Sequence, residues 1–184
     1  MGQPQADFVI AGIDPGASGA IAFFAPGQLI GVDDLPYYKV VTGKGRSTSV
    51  LDIRALDELV AAKDFSLQHI FYEEQIAGSG QSTKSVATTF RNLGNIDAWL
   101  SLRGIAHTCV HSSAWKARML RGMPKGTSSG KGASVRRCLQ LFPEAPVRGP
   151  RGGLLHDRAE AVLIAVYGWN DLKRLGMTPP TALA

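Results

Sequence analysis

Four carboxylates stand at positions where packing gives little reason for an acidic side chain. Asp14 ends an apolar run, and the Pro15-Gly16 turn that follows predicts that its carboxylate is exposed at the edge of a sheet. Glu74 follows a second, shorter apolar run of β type. Asp157 and Glu160 are three residues apart, so both point the same way if they belong to a helix. The four acids form a candidate cluster drawn from three segments of the chain.

Such a cluster repels itself unless cations neutralise it. Magnesium is the natural cation, because it is a hard ion that takes oxygen ligands and a few carboxylates. Two such ions about 3.5–4 Å apart would activate a water molecule and stabilise the leaving 3′ oxygen of a phosphodiester. Each acid also has a plainer alternative, as a turn cap, a solvated strand end or a helix cap. Taken together in this order, the acids predict a site with two Mg²⁺, for which Mn²⁺ can substitute.

Two neighbours of these acids are ambiguous from the residues alone. Glu73 and Glu74 are consecutive in a strand, and consecutive strand residues face opposite sides, so only one of them can join the cluster. The sequence does not choose between them. His156 precedes Asp157 and is either a helix-start residue or a proton handler, since histidine titrates near neutral pH.

The charge of the chain indicates an acidic partner. The formal net charge is +5 and the pI is about 9.4, and nucleic acid is the commonest partner of such a protein. No Asp or Glu occurs from Ala98 to Pro143. A basic surface beside a carboxylate cluster suits an enzyme that cuts phosphodiesters, although a solvated basic face is the alternative. The cations of this stretch are Arg103, Lys116, Arg118, Arg121, Lys125, Lys131, Arg136 and Arg137.

The composition predicts one globular domain. The chain has 184 residues, of which 45% are hydrophobic and 19% charged. We place this domain at residues 1–176 and expect a disordered tail at 177–184. Cys109 and Cys138 lack metal-ligand spacing and are expected to be buried free thiols. There is neither a secretory signal nor a run of about 18 apolar residues, so we expect a cytoplasmic protein without a membrane span.

Five strands are expected, the first three forming an antiparallel meander. The loop after the meander, rich in Pro, Tyr, Gly and Lys, is predicted to run from Asp33 to Arg46. The predicted strands are Phe8 to Ile13, Gly19 to Phe24, Leu29 to Val32, His69 to Tyr72 and Ile105 to Val110.

Helices follow the meander in alternation with the later strands. This order predicts an α/β fold in which a mixed five-stranded sheet, an antiparallel meander plus parallel strands, is flanked by helices. The predicted helices are Leu51 to Ala62, Ser82 to Leu102, Ser113 to Leu120, Ala133 to Phe142 and Leu155 to Leu175.

The motifs that surround the acids resemble those of the RuvC family of Holliday-junction resolvases, over roughly residues 8 to 170. Ile13-Asp14-Pro15-Gly16 is similar to the first motif of the family, and Glu74-Gln75 is similar to its Glu-Gln motif. The helix from Asp157 to Ala165 resembles the final helix, where two ligands precede an Ala-rich run. Ala114-Trp115-Lys116 and Leu141-Phe142-Pro143 are similar to segments of the bacteriophage-type and chloroplast-type enzymes.

The resemblance implies an RNase H-like fold and an endonuclease that resolves four-way DNA junctions. It implies a homodimer whose subunits each nick one strand, giving paired symmetric cuts, and it selects Glu74 over Glu73 as the ligand. The catalytic and metal-binding set is then Asp14, Glu74, Asp157 and Glu160. Lys116 and Lys131 match family lysines that contact junction phosphates, and charge alone adds Arg118 and Lys125 as DNA contacts. The pattern leans towards a phage-encoded protein in a bacterial cell.

Two departures from the family pattern bear on mechanism. Glu160 replaces the aspartate of the standard bacterial enzyme, a longer arm that can still bind magnesium. The aromatic residue that wedges into the junction centre in the bacterial family is absent, because Ile76 and Ala77 follow Glu74-Gln75. The expected contact between subunits is the long helix from Ser82 to Leu102, through Phe90, Leu93, Ile96, Asp97 and Trp99, whose apolar residues equally suit the core.

Three other functions compete with junction resolution. An RNase H-like nuclease that cuts flaps or RNA–DNA hybrids would carry the same acids. A DNA-binding protein without activity is a further alternative. The segment from Gly12 to Ala20 also resembles the first phosphate loop of actin-like ATPases and sugar kinases, but 184 residues leave no room for their second lobe.

Overall fold

The computed structural model describes residues 8–16, 18–42, 45–77, 80–123 and 131–177. Lys125 and all but the first residue of the predicted tail lie outside these ranges, so the predictions made for them stay predictions. The described elements, in chain order, are β1 (Val9–Asp14), β2 (Ala20–Ala25), β3 (Gln28–Asp34), β4 (Tyr37–Thr42), β5 (Arg46–Leu51), α1 (Ile53–Ala61), β6 (Leu67–Glu73), α2 (Thr83–Arg103), β7 (His107–Val110), α3 (Ser112–Met119), α4 (Lys131–Leu141) and α5 (His156–Arg174).

The main sheet confirms the predicted architecture. Its strand order is β3-β2-β1-β6-β7. Strands β1, β2 and β3 pair antiparallel as a meander, whereas β6 pairs parallel to β1 and β7 parallel to β6. The helices predicted from apolar spacing are all present, with ends that differ by one or two residues. The sheet is therefore mixed and five-stranded, with the carboxyl ends of β1 and β6 side by side.

The central strands are apolar throughout because both faces of the sheet are covered. Every residue of β1 and β2 is buried. Ile13 packs in one hydrophobic cluster with Leu56 of α1 and Ile96 of α2. Ile10 points to the opposite face and packs in a second cluster with Leu163 of α5. The parallel pairing of β1 with β6 is thus held between two apolar layers, as parallel strands require.

Helix α5 lies unusually close to the sheet, and two glycines permit this. A Cβ atom on Gly12 would collide with the backbone of Ala161 and Ala165, and one on Gly168 would collide with the ring of Phe71. The backbone of α5 therefore rests directly on β1 and β6. Because the first turns of α5 carry two of the candidate acids, this close approach sets their distance from the end of β1.

The prediction of a loop from Asp33 to Arg46 was wrong. The chain forms a two-stranded antiparallel hairpin there, with β4 paired to β5. Helix α2 holds the hairpin: the backbone N–H of Leu51 donates to Asn92 Oδ1 at 3.1 Å, and the hydroxyls of Thr48 and Thr88 lie 2.8 Å apart. The Pro, Gly and Lys residues of this stretch have low strand propensity, and the strands depend on contacts made some 40 residues later, as the Thr48–Thr88 pair shows.

None of the described helices is long and apolar enough to cross a membrane.

The close packing of α5 gives the first prediction. We expect Gly12→Ala to lower the free energy of unfolding by roughly 1–3 kcal/mol, because the added methyl group meets backbone atoms that cannot rotate away. Gly31→Ala is the matched control, a strand glycine whose Cβ would meet nothing within 4 Å. Urea denaturation of the two variants measures the difference, and equal midpoints would refute the tight contact between β1 and α5.

Candidate active site

Asp14 is the buried centre of the site. It closes β1 and is 7% exposed. The turn that follows fixes its side chain, since the backbone N–H of Gly16 donates to Asp14 Oδ1 at 3.1 Å. The hydroxyl of Tyr37, from the hairpin, donates to the carbonyl of Gly16 at 2.6 Å and holds the turn in place. The Asp-Pro-Gly motif therefore presents one carboxylate from a rigid, poorly solvated position.

Helix α5 brings Asp157 and Glu160 to the same place. Asp157 lies in the first turn of the helix, where the partial positive charge of the helix N-terminus favours an acid. Glu160 is almost one turn further and on the same face. Burial, together with the negative charges of Glu160, Asp157 and Glu73, raises the pKa of Asp14 to about 8. The three predicted acids Asp14, Asp157 and Glu160 are thus brought together.

The fourth acid of the cluster is Glu73. The prediction that the side chain of Glu74 joins the cluster was wrong. Ile13 is the register partner of Tyr72 in the parallel pair, so the next residues, Asp14 and Glu73, lie side by side. Glu73 is 9% exposed, whereas the side chain of Glu74 is exposed on the other side of the strand. A signal was present in the sequence: Glu73, like Asp14, is the first residue after its apolar run.

Neutral donors hold one oxygen of each glutamate in the cluster. The indole N–H of Trp115 in α3 donates to Glu73 Oε2 at 2.9 Å, and the hydroxyl of Ser134 in α4 donates to Glu160 Oε1 at 2.9 Å. Burial raises the pKa of Glu73, although Lys116 and the Trp115 hydrogen bond act to lower it. Sequence reasoning gave Trp115 and Ser134 no role at the site, because donors from separate helices become neighbours only in the folded chain.

Lys116 is the predicted DNA contact that the structure places at the acids. Its Nζ lies 3.2 Å from Glu160 Oε2 and 3.8 Å from Glu73 Oε1. Arg118 is on the same helix but turned away, paired with Asp171 at 3.3 Å and stacked over Tyr167. Lys131 begins α4, and its side chain is outside the described part of the structure.

The chemistry of the donor set fits a hard divalent cation. Several carboxylates share one poorly solvated end of the sheet, where their mutual repulsion and burial disfavour full ionisation without a cation. Within the described residues, however, no three His, Cys, Asp or Glu side chains are spaced as a ready-made metal site. The carboxylates of Glu73 and Glu160 face Trp115, Ser134 and Lys116. The acids are gathered but not yet arranged as ligands.

A cleft of ≈ 470 Å³ opens beside the start of α5. Asp157 and His156 line it together with Ser18 and Leu155. His156 is thus next to the acids and half-buried, and a role in proton transfer stays a prediction. One wall is held by Arg158, whose guanidinium donates to both carboxylate oxygens of Asp34 at 2.6 and 2.8 Å. This fork ties the start of α5 to the end of β3, and no local sequence pattern predicted it.

The sheet order, the crossing of α5 over β1 and the acids at the strand ends define an RNase H-like fold. Solved structures with this fold that are similar to the chain include two of RuvC from T. thermophilus, one of them in complex with a Holliday-junction substrate. That complex is 17% identical, with a TM-score of 0.55, and the match covers 95% of this chain and 99% of that one. The second RuvC structure is also 17% identical, with a TM-score of 0.52 and coverage of 94% and 99%.

A viral resolvase is similar as well. The fowlpox virus resolvase, in complex with Holliday-junction DNA, is 12% identical with a TM-score of 0.51, and the match covers 89% of this chain and 99% of that one. No protein-family model matches the sequence, and no curated protein matches it. At these identities the likeness establishes the fold.

The raised pKa of Asp14 predicts how the metal-free protein responds to pH. Its ordinary value is 3.8 and its value in the folded protein is about 8, so folding favours the protonated acid. The contribution of Asp14 to stability is therefore fully present below pH 3.8 and is lost as the pH rises to about 8. In EDTA at pH 8, Asp14→Asn should raise the free energy of unfolding by roughly 1–3 kcal/mol, with a smaller gain at pH 5.

Thermal unfolding of the wild type and the variant across this pH range checks the expectation. Asp64→Asn removes an exposed aspartate outside the cluster and serves as the control for net charge. A variant as stable as the wild type at every pH would mean that Asp14 ionises in the folded protein without cost.

Proposed function

We propose that the protein is a magnesium-dependent endonuclease that resolves four-way DNA junctions by paired symmetric nicks. The observation that carries the proposal is the gathering of Asp14, Glu73, Asp157 and Glu160 at one end of the sheet, with Lys116 beside them. Support for the substrate comes from the likeness of the fold to resolvases solved with Holliday-junction DNA. A cluster of oxygen donors on a basic chain suits hydrolysis of a phosphodiester.

The residues divide the work of the proposed reaction. Asp14, Glu73, Asp157 and Glu160 would hold two divalent cations, which supply an activated water and stabilise the leaving 3′ oxygen. The Gly16 and Tyr37 contacts keep Asp14 from turning towards solvent. The fork between Arg158 and Asp34 keeps the first turn of α5, and hence Asp157, at a fixed position over the sheet. The chain thereby orients its ligands before substrate binds.

Contacts to the DNA backbone are proposed for the basic residues around the acids. Lys116 is the best placed of these, because it is 37% exposed and already within reach of the site. Lys131 starts the helix that carries Ser134, so its backbone is near the same face. Arg118 and Lys125 remain proposed contacts from charge alone. Such contacts position the backbone and read no bases, so selectivity for branched DNA would come from the geometry of the assembly.

A homodimer is the proposed assembly, with α2 as the contact between subunits. Ile96 and Trp99 are buried in the core, and Leu93 packs against it, so these residues of the predicted contact serve the fold. Phe90 and Leu102 remain on the surface, 45% and 87% exposed. A symmetric pairing through these side chains would present two active sites to two strands of one junction.

The segment after β6 lacks the wedge aromatic but still exposes an apolar side chain. Ile76, three residues after Glu73, is 56% exposed and apolar, and it lies just beyond the end of β6. An exposed isoleucine close to the acids can still contact an unstacked base at the centre of a junction, with less stacking area than a ring.

A cleavage assay with two adjacent variants tests the proposal. In Mg²⁺ we expect paired symmetric nicks in a labelled four-way junction and none in linear duplex, flap or RNA–DNA hybrid. Glu73→Gln should lower the rate on the order of a hundredfold or more, because it removes a charged ligand. Glu74→Gln, the matched control one residue away, should cut at the wild-type rate because its side chain faces away from the acids.

Other outcomes of the assay each discard part of the proposal. Cutting of flaps or hybrids in place of junctions would keep the metal-dependent nuclease and discard the junction. No cutting in Mg²⁺ or Mn²⁺ would leave a DNA-binding protein. Loss of activity in Glu74→Gln with full activity in Glu73→Gln would reverse the choice of ligand.

A further inference from the structure

Lys116 lies between the two glutamates of the site in a way that a simple DNA contact does not require. Its Nζ faces Glu160 Oε2 at 3.2 Å and Glu73 Oε1 at 3.8 Å. These are the two oxygens left over after Trp115 and Ser134 have bound the others. The ammonium group thus completes the contacts of both carboxylates at once.

The burial of the two glutamates strengthens this contact. The side chains of Glu73 and Glu160 are 11% and 12% exposed, so their charges are poorly screened by water. Neighbouring cations are engaged elsewhere: Arg118 pairs with Asp171, and Arg137 donates to the backbone carbonyl of Met119 and to Gln140. Among the described residues, Lys116 is the cation that contacts both acids and offsets the repulsion between them.

We propose that Lys116 is a built-in substitute for a metal ion, which neutralises Glu73 and Glu160 in the metal-free protein and is displaced when a divalent cation binds. This inference rests on the proposed function, because it assumes that the cluster holds cations during catalysis. Magnesium and an ammonium group against the same two oxygens compete, because their positive charges repel each other at that distance. Lys116 is 37% exposed at the surface of α3, so the displaced ammonium can turn outward to a phosphate of the DNA.

The proposal reverses the usual effect of deleting a charge at a metal site. A lysine that competes with the metal weakens its binding, so Lys116→Gln should bind Mn²⁺ and Mg²⁺ on the order of tenfold more tightly than the wild type. The same variant should unfold at a lower temperature in EDTA, because the two glutamates lose their counter-charge. A residue with a merely structural role would lower the unfolding temperature without tightening the binding of metal.

Isothermal titration calorimetry with Mn²⁺ and Mg²⁺ measures the affinities on the full chain. Lys116→Arg keeps the positive charge and should bind metal nearly as weakly as the wild type. Arg118→Gln is the matched control: it removes one positive charge from the same helix, but from a residue paired with Asp171 and stacked on Tyr167. It should leave the metal affinity unchanged.

A second measurement is made on the wild type, and the conservative variant Lys116→Arg serves only to assign the signal. Nitrogen-15 NMR of lysine side chains in the wild type should show a protected Nζ signal for Lys116 in the metal-free protein, absent from the spectrum of Lys116→Arg. Mg²⁺ should remove this signal as the ammonium group enters solvent. A signal that persists in saturating Mg²⁺ would overturn the proposal, as would an affinity in folded Lys116→Gln that is equal to or weaker than that of the wild type.

These results separate the inference from the function on which it rests. Junction cutting together with an unchanged metal affinity in Lys116→Gln would refute the substitution by lysine alone. Tighter metal binding in a protein that cuts no junction would refute the proposed substrate and leave the role of Lys116 intact.

Discussion

The repulsion among buried carboxylates is the constraint on which the rest of the structure depends. Asp14, 7% exposed, shares one end of the sheet with three other acids, and its raised pKa records the cost of that position. A fold can keep such a cluster only if other contacts offset the cost. Here these are the two apolar layers on the central strands, which bury β1 and β2 completely. The stability of the core is thus a condition for gathering the acids.

The geometry of the cluster is set by contacts away from it. Two of the acids lie on α5, and the absence of a side chain at Gly12 determines how closely α5 approaches β1. The fork from Arg158 to Asp34 ties the start of the helix to β3, and Phe71 packs under Gly168 further along. Close packing holds α5 rigidly against the sheet. The addition of one methyl group under the helix would therefore move its carboxylates relative to Asp14.

The sequence predicted the sheet, the helices and three of the four acids, because these follow from apolar periodicity and from polar residues at strand ends. It did not decide between Glu73 and Glu74, since that depends on the register of β6 against β1, and a shift of one residue turns every side chain to the other face. The hairpin was missed because contacts with α2 hold it. The pairing of Arg118 with Asp171 joins residues that are 53 positions apart and leaves no local pattern.

The three donors to the glutamates differ in what a cation would require of them. The indole of Trp115 and the hydroxyl of Ser134 are neutral, so they can orient a carboxylate without changing the net charge of the cluster. Of these three donors, Lys116 alone is charged. Its interaction with both glutamates therefore depends more on charge than on hydrogen-bond geometry. A divalent ion that binds at the cluster is therefore compatible with the neutral hydrogen bonds, but it must displace the ammonium group. A lysine at this position therefore supplies positive charge to the metal-free site on a side chain that is long enough to move out of the site.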